Sequence, residues 1–175
     1  VFVDLKFFDV PATVARAVSQ LRGRQVSFAT VHGNDAMMRA AAEAAGEVGI
    51  LAVTVLTSLD AVDMRDLGFD CDIPALVRSR AQRAVALGCA GVVASGQEAA
   101  MLRKTLGDDG LIVTPGIRPV RQDDDQKRTV TPTQALRDGA DYLVVGRPVR
   151  DADNPREAAR NIQDEIASAL GHSVA

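Results

Sequence analysis

Tryptophan is absent from this sequence, and aromatic residues of all kinds make up only 3% of its 175 residues. Proteins that bind single-stranded nucleic acids stack the bases on such side chains, so the composition argues against that class of protein. A strong excess of one charge is also lacking, because the formal net charge is −3. The overall charge therefore points neither to a nucleic-acid partner nor to an anionic membrane surface.

Cysteine is scarce, and the two cysteines, Cys71 and Cys89, do not have the close spacing of a zinc knuckle or a redox pair. We interpret them as reduced, partly buried thiols of a cytoplasmic protein. No apolar run is long enough to span a bilayer, and no signal peptide is recognisable. The first residue is valine rather than methionine and lies inside an apolar segment, so we expect an N-terminal portion to precede it.

The remaining composition is ordinary for a globular protein, with 47% hydrophobic and 25% charged residues. A chain of 175 residues can bury a hydrophobic core of its own. No linker, low-complexity stretch or change of composition divides it. We therefore expect a single domain that spans residues 1–175.

Short segments rich in β-branched residues alternate along the chain with amphipathic helical segments. The predicted strands cover residues 1–4, 27–31, 50–56, 91–94, 111–114 and 142–145. Several of them are apolar throughout, as is typical of strands that are covered on both faces. Helix starts are indicated by Asn34 or Asp35, by a capping box at residues 131–134, and by Asn154.

Six strands, each followed by helical sequence, indicate a parallel sheet with right-handed crossovers. An open doubly wound sheet and a closed barrel both fit this pattern. A complete barrel of eight β/α units typically needs about 250 residues. If the fold is such a barrel, the six units correspond to its strands three to eight, and two units are missing before residue 1.

The first candidate site lies at the start of the chain, in the sequence D-L-K-F-F-D-V-P-A-T-V of residues 4–14. Asp4 and Lys6 are two residues apart at a strand end, so their side chains point to the same face. Asp9 follows in the strand-to-helix loop, where parallel α/β proteins bind ligands. A lysine between two carboxylates is expected to keep its proton and to act as a proton donor. On spacing alone, a surface salt bridge is an equally good interpretation.

A second candidate site consists of two loops, V-T-P-G-I-R-P at residues 113–119 and V-V-G-R-P at residues 144–148. Glycine allows close approach of a ligand to the backbone, and arginine with backbone N–H groups suits a phosphate. Barrels often bind phosphate in the loops after strands seven and eight, which is where the strand count puts these two loops. Residues 118–128 form a long polar loop that we expect to close over the ligand as a lid.

The sequence of residues 4–14 resembles the signature D-x-K-x-x-D-I-P-N-T of orotidine 5′-phosphate decarboxylases. Both candidate phosphate loops resemble the same family, and the resemblance extends over essentially the whole chain. It implies a TIM (β/α)8-barrel fold of which about six units, strands three to eight, are present. This sequence departs from the family pattern at two positions that concern ribose contacts. Phe8 stands where many bacterial members have histidine, and Ala12 stands where asparagine is usual.

The resemblance implies decarboxylation of orotidine 5′-monophosphate to uridine 5′-monophosphate in de novo pyrimidine biosynthesis. By this similarity Lys6 donates the proton to the C6 carbanion, and Asp4 is its neighbouring catalytic carboxylate. Asp9 would reach into the active site of the partner subunit of a homodimer. No metal, pyridoxal or flavin cofactor is implied.

The resemblance also implies a set of substrate-binding residues. Val10 and Thr13 would bind the nucleotide across the subunit interface, and Thr57 would contact the pyrimidine. The other members of the set are Arg118, Gln126, Gly146 and Arg147, of which Gln126 and Arg147 would lie near the phosphate. His32, at another strand end, is interpreted as structural.

The family also uses an aspartate after strand one and a lysine after strand two, and neither strand is expected in this sequence. We therefore expect the 175-residue chain to be weak or inactive as an enzyme. One alternative is a metal-dependent sugar-phosphate decarboxylase or aldolase of the same superfamily, since these share a D-x-K-x-x-D strand and usually require magnesium. The other is a non-catalytic remnant that only binds phosphate or a partner protein.

Overall fold

The computed structural model of the chain describes residues 1–119 and 128–171. Strands and helices alternate along these residues, as the sequence predicts. In chain order they are β1 (Phe2–Phe7), α1 (Pro11–Ser19), β2 (Phe28–His32), α2 (Asp35–Ala44), β3 (Gly49–Val53), α3 (Ala61–Asp66), α4 (Ile73–Ala86), β4 (Gly91–Val93), α5 (Ala99–Leu106), β5 (Leu111–Thr114), α6 (Pro132–Arg137), β6 (Tyr142–Leu143), α7 (Arg147–Arg150) and α8 (Pro155–Ala169).

The six strands form one parallel sheet whose spatial order, β1-β2-β3-β4-β5-β6, is the same as their order in the sequence. A doubly wound sheet reverses its strand order at a switch point, whereas a β/α barrel adds each strand beside the previous one. The sequential order therefore decides between the two folds that the sequence left open. The chain forms six consecutive β/α units of a barrel.

The sheet is strongly curled. The rings of Phe28 on β2 and Tyr142 on β6 lie 5.4 Å apart in an edge-on contact, although the two strands are four positions apart in the sheet. In a flat sheet four strand spacings would separate them by about 19 Å. Within the described part of the chain, β1 and β6 are the outermost strands of this incomplete barrel.

Alternate side chains of each strand pack on opposite faces of the sheet. On β3, Ile50 and Ala52 belong to the large core between the sheet and the helices, whereas Leu51 and Val53 belong to a smaller core inside the curl. Leu51 is fully buried there, and burial of such a side chain contributes about 1.5–3 kcal/mol to stability. A strand covered on both faces is apolar throughout, which explains the continuous hydrophobic run of β3.

All six predicted strands are present, and all except β5 have shifted ends. β1 continues past Lys6 to Phe7, beyond the predicted end at residue 4. β3 ends at Val53 rather than at residue 56, and both the backbone N–H and the hydroxyl of Thr54 donate to Val93 O, at 3.0 Å each. The strand is therefore three residues shorter at its carboxyl end than its hydrophobicity indicates.

The helix starts agree with the predicted caps, with one exception. Asn34, rather than Asp35, accepts a hydrogen bond from the first turn of α2, and Asn154 caps α8 in the same way. Thr131 caps α6, but the predicted capping box is only half formed. The amide of Gln134 donates to Asp138 Oδ2, one turn further on, at 2.8 Å, instead of returning to the backbone of Thr131.

Candidate functional site

One pocket lies at the carboxyl ends of the strands, inside the curl. Parallel barrels bind their ligands at this end, because the β/α loops there converge around one point. We call it the carboxyl-end pocket. Its lining residues are Phe2, Asp4, Lys6, Val53, Val55, Leu56, Thr57, Ser58, Val93, Ala94, Pro115, Gly116, Arg118, Val144, Gly146 and Arg147.

Lys6 and Asp4 form an ion pair in this pocket, with 2.9 Å between Lys6 Nζ and Asp4 Oδ2. The two side chains are 37% and 40% exposed, so solvent screens their attraction. Such accessible pairs contribute only about 0–1 kcal/mol to stability. The pair is therefore poorly explained as a structural element, and its position leaves a cationic amine facing the pocket.

The backbone of β1 is irregular where it carries this pair. A step of four residues on β1, from Val3 to Phe7, is matched by a step of two residues on β2, from Ala29 to Val31. Lys6 itself has a φ of +51°, in the left-handed region that costs an L residue about 1–2 kcal/mol. Strain of this kind is concentrated at functional sites, where the surrounding structure maintains it.

Thr30 on β2 contacts both members of the ion pair. Its hydroxyl accepts a hydrogen bond from the backbone N–H of Lys6 at 2.9 Å and donates one to Asp4 Oδ1 at 2.8 Å. Thr30 is fully buried. Thr30 is not predicted as a site residue, because a threonine inside an apolar strand is common and its neighbours across the sheet are not visible in the sequence.

The two predicted phosphate loops meet in the same pocket. Arg118, from the loop after β5, is buried and donates from Nη1 to Ile117 O at 2.9 Å. Gly116 in that loop has a φ of +75°, which favours glycine. The second loop is shorter than the sequence suggested: Gly146 is directly followed by the helix α7, whose first residue is Arg147. Lys6, Arg118 and Arg147 are therefore brought to one cavity from strands at opposite ends of the sheet.

Thr57 also lines the pocket and is buried. The residues before it are held by Arg128, whose Nη2 donates to Val55 O at 3.0 Å and to Leu56 O at 3.1 Å. Arg128 Nη1 in turn lies 2.5 Å from Glu98 Oε1. Burial raises the pKa of the Glu98 carboxyl, and the charge of Arg128 opposes that shift. Neither Glu98 nor Arg128 is predicted from the sequence as a site residue, and Arg128 is only the last residue of the predicted lid.

Three of the predicted site residues lie outside the carboxyl-end pocket of their own chain. Asp9 and Thr13 line a second depression beside α1, and Val10 is the exposed residue before that helix. Asp9 Oδ1 accepts a hydrogen bond from the backbone N–H of Val10 at 2.6 Å. Their predicted role across a subunit interface stays a prediction. Gln126 and most of the predicted lid lie outside the described residues.

His32 is half-buried at the end of β2, and its ring makes an edge-on contact with Phe8 at 5.7 Å between centroids. Burial lowers the pKa of this imidazole, and the nearby charges of Arg80 and Lys6 lower it further. His32 lines a neighbouring cavity rather than the carboxyl-end pocket.

Residues 1–119 and 128–171 contain neither a metal-binding cluster nor a membrane-spanning helix. In these segments no three His, Cys, Asp or Glu side chains come together in an arrangement that could hold a metal ion. None of the helices in the same segments has both the length and the hydropathy that a membrane span requires.

The chain matches one family model, described as orotidine 5′-phosphate decarboxylase / HUMPS family, over residues 1–162. It is 64% identical over 168 residues to an orotidine 5′-phosphate decarboxylase of Methylococcus capsulatus, covering 95% of this chain and 69% of the relative. It is 50% identical over 175 residues to the protein of the same name from Nitrobacter winogradskyi, covering 97% of this chain and 72% of the relative.

This chain is also similar to a solved structure of that family. The crystal structure of orotidine 5′-phosphate decarboxylase from Lactobacillus acidophilus superposes with a TM-score of 0.80 at 35% sequence identity. The match covers 94% of this chain and 74% of that one.

Proposed function

The chain belongs to the orotidine 5′-phosphate decarboxylase / HUMPS family, and we propose that its carboxyl-end pocket converts orotidine 5′-monophosphate into uridine 5′-monophosphate by loss of carbon dioxide. This reaction belongs to de novo pyrimidine biosynthesis. The observation that carries the proposal is the Lys6–Asp4 pair in a pocket that Arg118 and Arg147 also line. The pocket thus combines a proton donor with two cations suited to a phosphate.

In the proposed reaction the bond between C6 of the pyrimidine and the carboxylate carbon breaks, and its electron pair stays on C6. Lys6 Nζ stabilises this developing negative charge electrostatically and then transfers a proton to C6. The amine is held ready for this step because Asp4 Oδ2 accepts one of its hydrogen bonds at 2.9 Å. The reaction as written needs no metal and no organic cofactor.

Asp4 has a second effect in the proposed mechanism. Its fixed negative charge lies beside Lys6, where the substrate carboxylate would also approach. Repulsion between the two carboxylates raises the energy of the bound substrate and is relieved as neutral carbon dioxide leaves. Asp4 therefore both orients the proton donor and favours departure of the leaving group.

The phosphate end of the substrate is proposed to bind at Arg118, Gly146 and Arg147, with Gln126 as a further contact. Binding energy from this distant group can be used at the reacting carbon. Thr57 is proposed to contact the pyrimidine, and its placement is supported by the hydrogen bonds that Arg128 makes to the preceding carbonyls.

Asp9, Val10 and Thr13 are proposed to act across the interface of a homodimer. Exposed apolar side chains near Asp9 support such an interface: Leu5, Phe8 and Val10 are 69%, 67% and 61% exposed. Neither nucleic acid nor a membrane is proposed as a partner, and the cytoplasm is the proposed location.

The alternative of a metal-dependent sugar-phosphate enzyme is not favoured, since the relatives at 64% and 50% identity are named orotidine 5′-phosphate decarboxylases. The proposal is tested by incubating the purified 175-residue chain with orotidine 5′-monophosphate labelled in its carboxyl group. We expect slow turnover, because β1 and β6 are unpaired edges within the described part of the chain, so the chain is used in excess over the substrate.

Release of labelled carbon dioxide above the uncatalysed rate supports the proposal. Calorimetry with uridine 5′-monophosphate distinguishes the remaining outcomes. Binding without release would assign the chain to non-catalytic phosphate binding, and the absence of both release and binding would refute the proposed site altogether.

A further inference from the structure

The hydroxyl of Thr30 is the point at which the Lys6–Asp4 pair is attached to the neighbouring strand. The hydroxyl accepts from Lys6 N–H at 2.9 Å and donates to Asp4 Oδ1 at 2.8 Å, while Asp4 Oδ2 accepts from Lys6 Nζ at 2.9 Å. These bonds form a closed ring that runs from the backbone of Lys6 through Thr30 and Asp4 to the amine of Lys6. Both ends of the lysine are therefore fixed within one network.

The position of Thr30 in the sheet explains why a hydroxyl is needed there. Its neighbours Ala29 and Val31 pair with Val3 and Phe7, so Thr30 lies opposite the irregular part of β1. There the N–H of Lys6 bonds to the Thr30 side chain. A buried N–H without a partner is costly, so the side chain of Thr30 compensates for the interrupted ladder.

The same contact maintains the unusual backbone of Lys6. A φ of +51° is unfavourable for lysine, and the hydrogen bond to Thr30 is made in that conformation. If the residue relaxed to an ordinary extended conformation, its side chain would be re-aimed relative to the pocket, because side-chain direction along a strand follows the backbone. The direction of the amine thus depends on a residue that is not among those lining the carboxyl-end pocket.

The Asp4 carboxylate is constrained in the same way. One oxygen accepts from Thr30 and the other from Lys6, so rotation of the carboxylate would break one of the two bonds. An ionised carboxylate only accepts hydrogen bonds, which makes the Thr30 hydroxyl the donor. Because Thr30 is fully buried, water cannot readily replace it in this role.

We propose that Thr30 is a positioning residue of this active site, which aims the amine of Lys6 and the carboxylate of Asp4 at the reacting carbon without touching the substrate. The inference rests on the proposed function. It predicts that the Thr30 hydroxyl affects the chemical step and leaves nucleotide binding nearly unchanged.

The test compares three variants in single-turnover experiments, with the chain in excess over orotidine 5′-monophosphate. Thr30→Val removes the hydroxyl at nearly constant volume, and Thr30→Ser retains it. Thr54→Val is the matched control, because Thr54 is also fully buried and its hydroxyl donates only to the backbone oxygen of Val93.

We expect Thr30→Val to lower the maximal rate of decarboxylation by about 10- to 100-fold, as a small misplacement of a reacting group does. The chain concentration for half-maximal rate should change by less than about twofold, because the phosphate contacts are untouched. Thr30→Ser should restore most of the rate, and Thr54→Val should leave it near the wild-type value. An unchanged rate in Thr30→Val, or equal losses in Thr30→Val and Thr54→Val, would overturn the proposal.

A second measurement does not depend on turnover. Amide hydrogen exchange, followed by NMR, should be faster at Lys6 in Thr30→Val than in the wild type, and close to the wild type in Thr30→Ser and Thr54→Val. If the wild-type chain releases no carbon dioxide, the proposed function fails and this exchange pattern alone decides whether Thr30 holds Lys6. Equal exchange at Lys6 in all four proteins would refute the positioning role.

Discussion

Arg128 and Glu98 form an ion pair that is almost completely buried, with side-chain exposures of 9% and 7%. The pair joins the start of α5 to the two carbonyls that precede Thr57, because Arg128 also donates to Val55 O and Leu56 O. Among the residues that the structure describes, Glu98 Oε2 and Arg128 Nε have no hydrogen-bond partner. The pair is therefore incompletely satisfied, and the loss of one member leaves a charge in a poorly solvated place.

We predict that Arg128→Met lowers the free energy of unfolding by about 3–5 kcal/mol, because it leaves Glu98 buried without its partner. Urea denaturation of the two proteins measures the difference. The double variant Arg128→Met/Glu98→Leu should recover a large part of the loss, since neither charge then remains. Equal losses in the single and double variants would show that the uncompensated charge is not the cause.

His32 should make the stability of the fold depend on pH. Burial, and then the charges of Arg80 and Lys6, lower the pKa of its imidazole below the usual 6.5, so the unfolded chain binds the proton more tightly than the folded one. The contribution of neutral His32 to the free energy of unfolding is therefore fully present above pH 6.5. It is lost as the pH falls towards the lower pKa of the folded state.

We test this with urea denaturation of the wild type and of His32→Asn at a neutral and a mildly acidic pH. Acidification should lower the free energy of unfolding of the wild type more than that of His32→Asn, because only the wild type takes up a proton at this site on unfolding. A difference that does not change with pH would contradict the lowered pKa.

Lys6→Ala should abolish decarboxylation and leave the fold intact. The ion pair with Asp4 is well exposed, so its removal should change the free energy of unfolding by no more than about 1 kcal/mol. Lys6→Arg is the matched control for charge, since it keeps a cation but holds its proton too tightly to donate it. Carbon dioxide release and circular dichroism provide the two measurements, and near-normal turnover in Lys6→Ala would remove this residue from the mechanism.

Arg147→Ala should weaken binding of uridine 5′-monophosphate by about 10- to 100-fold, the loss expected for a charge-assisted hydrogen bond of about 1.5–3 kcal/mol. Binding of uridine, which lacks the phosphate, should hardly change. Arg150→Ala is the control, because Arg150 lies on the same short helix, is exposed and pairs with Asp151 at 2.5 Å. Calorimetry measures both affinities. Equal losses of affinity for uridine 5′-monophosphate in Arg147→Ala and Arg150→Ala would argue against a phosphate contact at Arg147.

Sequence patterns predicted much of this fold because the signals are local. Runs of β-branched residues located all six strands, and Asn34, Thr131 and Asn154 marked helix starts through contacts within three residues. The spacing of Asp4 and Lys6 predicted that they share a face, and the structure has them in contact. The choice between an open sheet and a barrel was not available from these signals, since it depends on contacts such as Phe28 with Tyr142.

The features that escaped prediction are those that depend on residues distant in sequence. No glycine or asparagine marks the turn of the backbone at Lys6, whose φ is +51° and whose N–H donates to Thr30, 24 residues away. Glu98 and Arg128 are separated by 30 residues, and charged residues in a sequence are normally interpreted as solvent-exposed.

The contact of Phe28 with Tyr142 also provides a built-in optical probe. Tyr142 is the single tyrosine of the chain, and tryptophan is absent, so tyrosine emission comes from one position. That position is where β6 contacts β2, and the ring of Phe2 lies 6.4 Å from that of Phe28. Quenching or anisotropy of the intrinsic fluorescence therefore reports on opening and closing of the curl without any attached label.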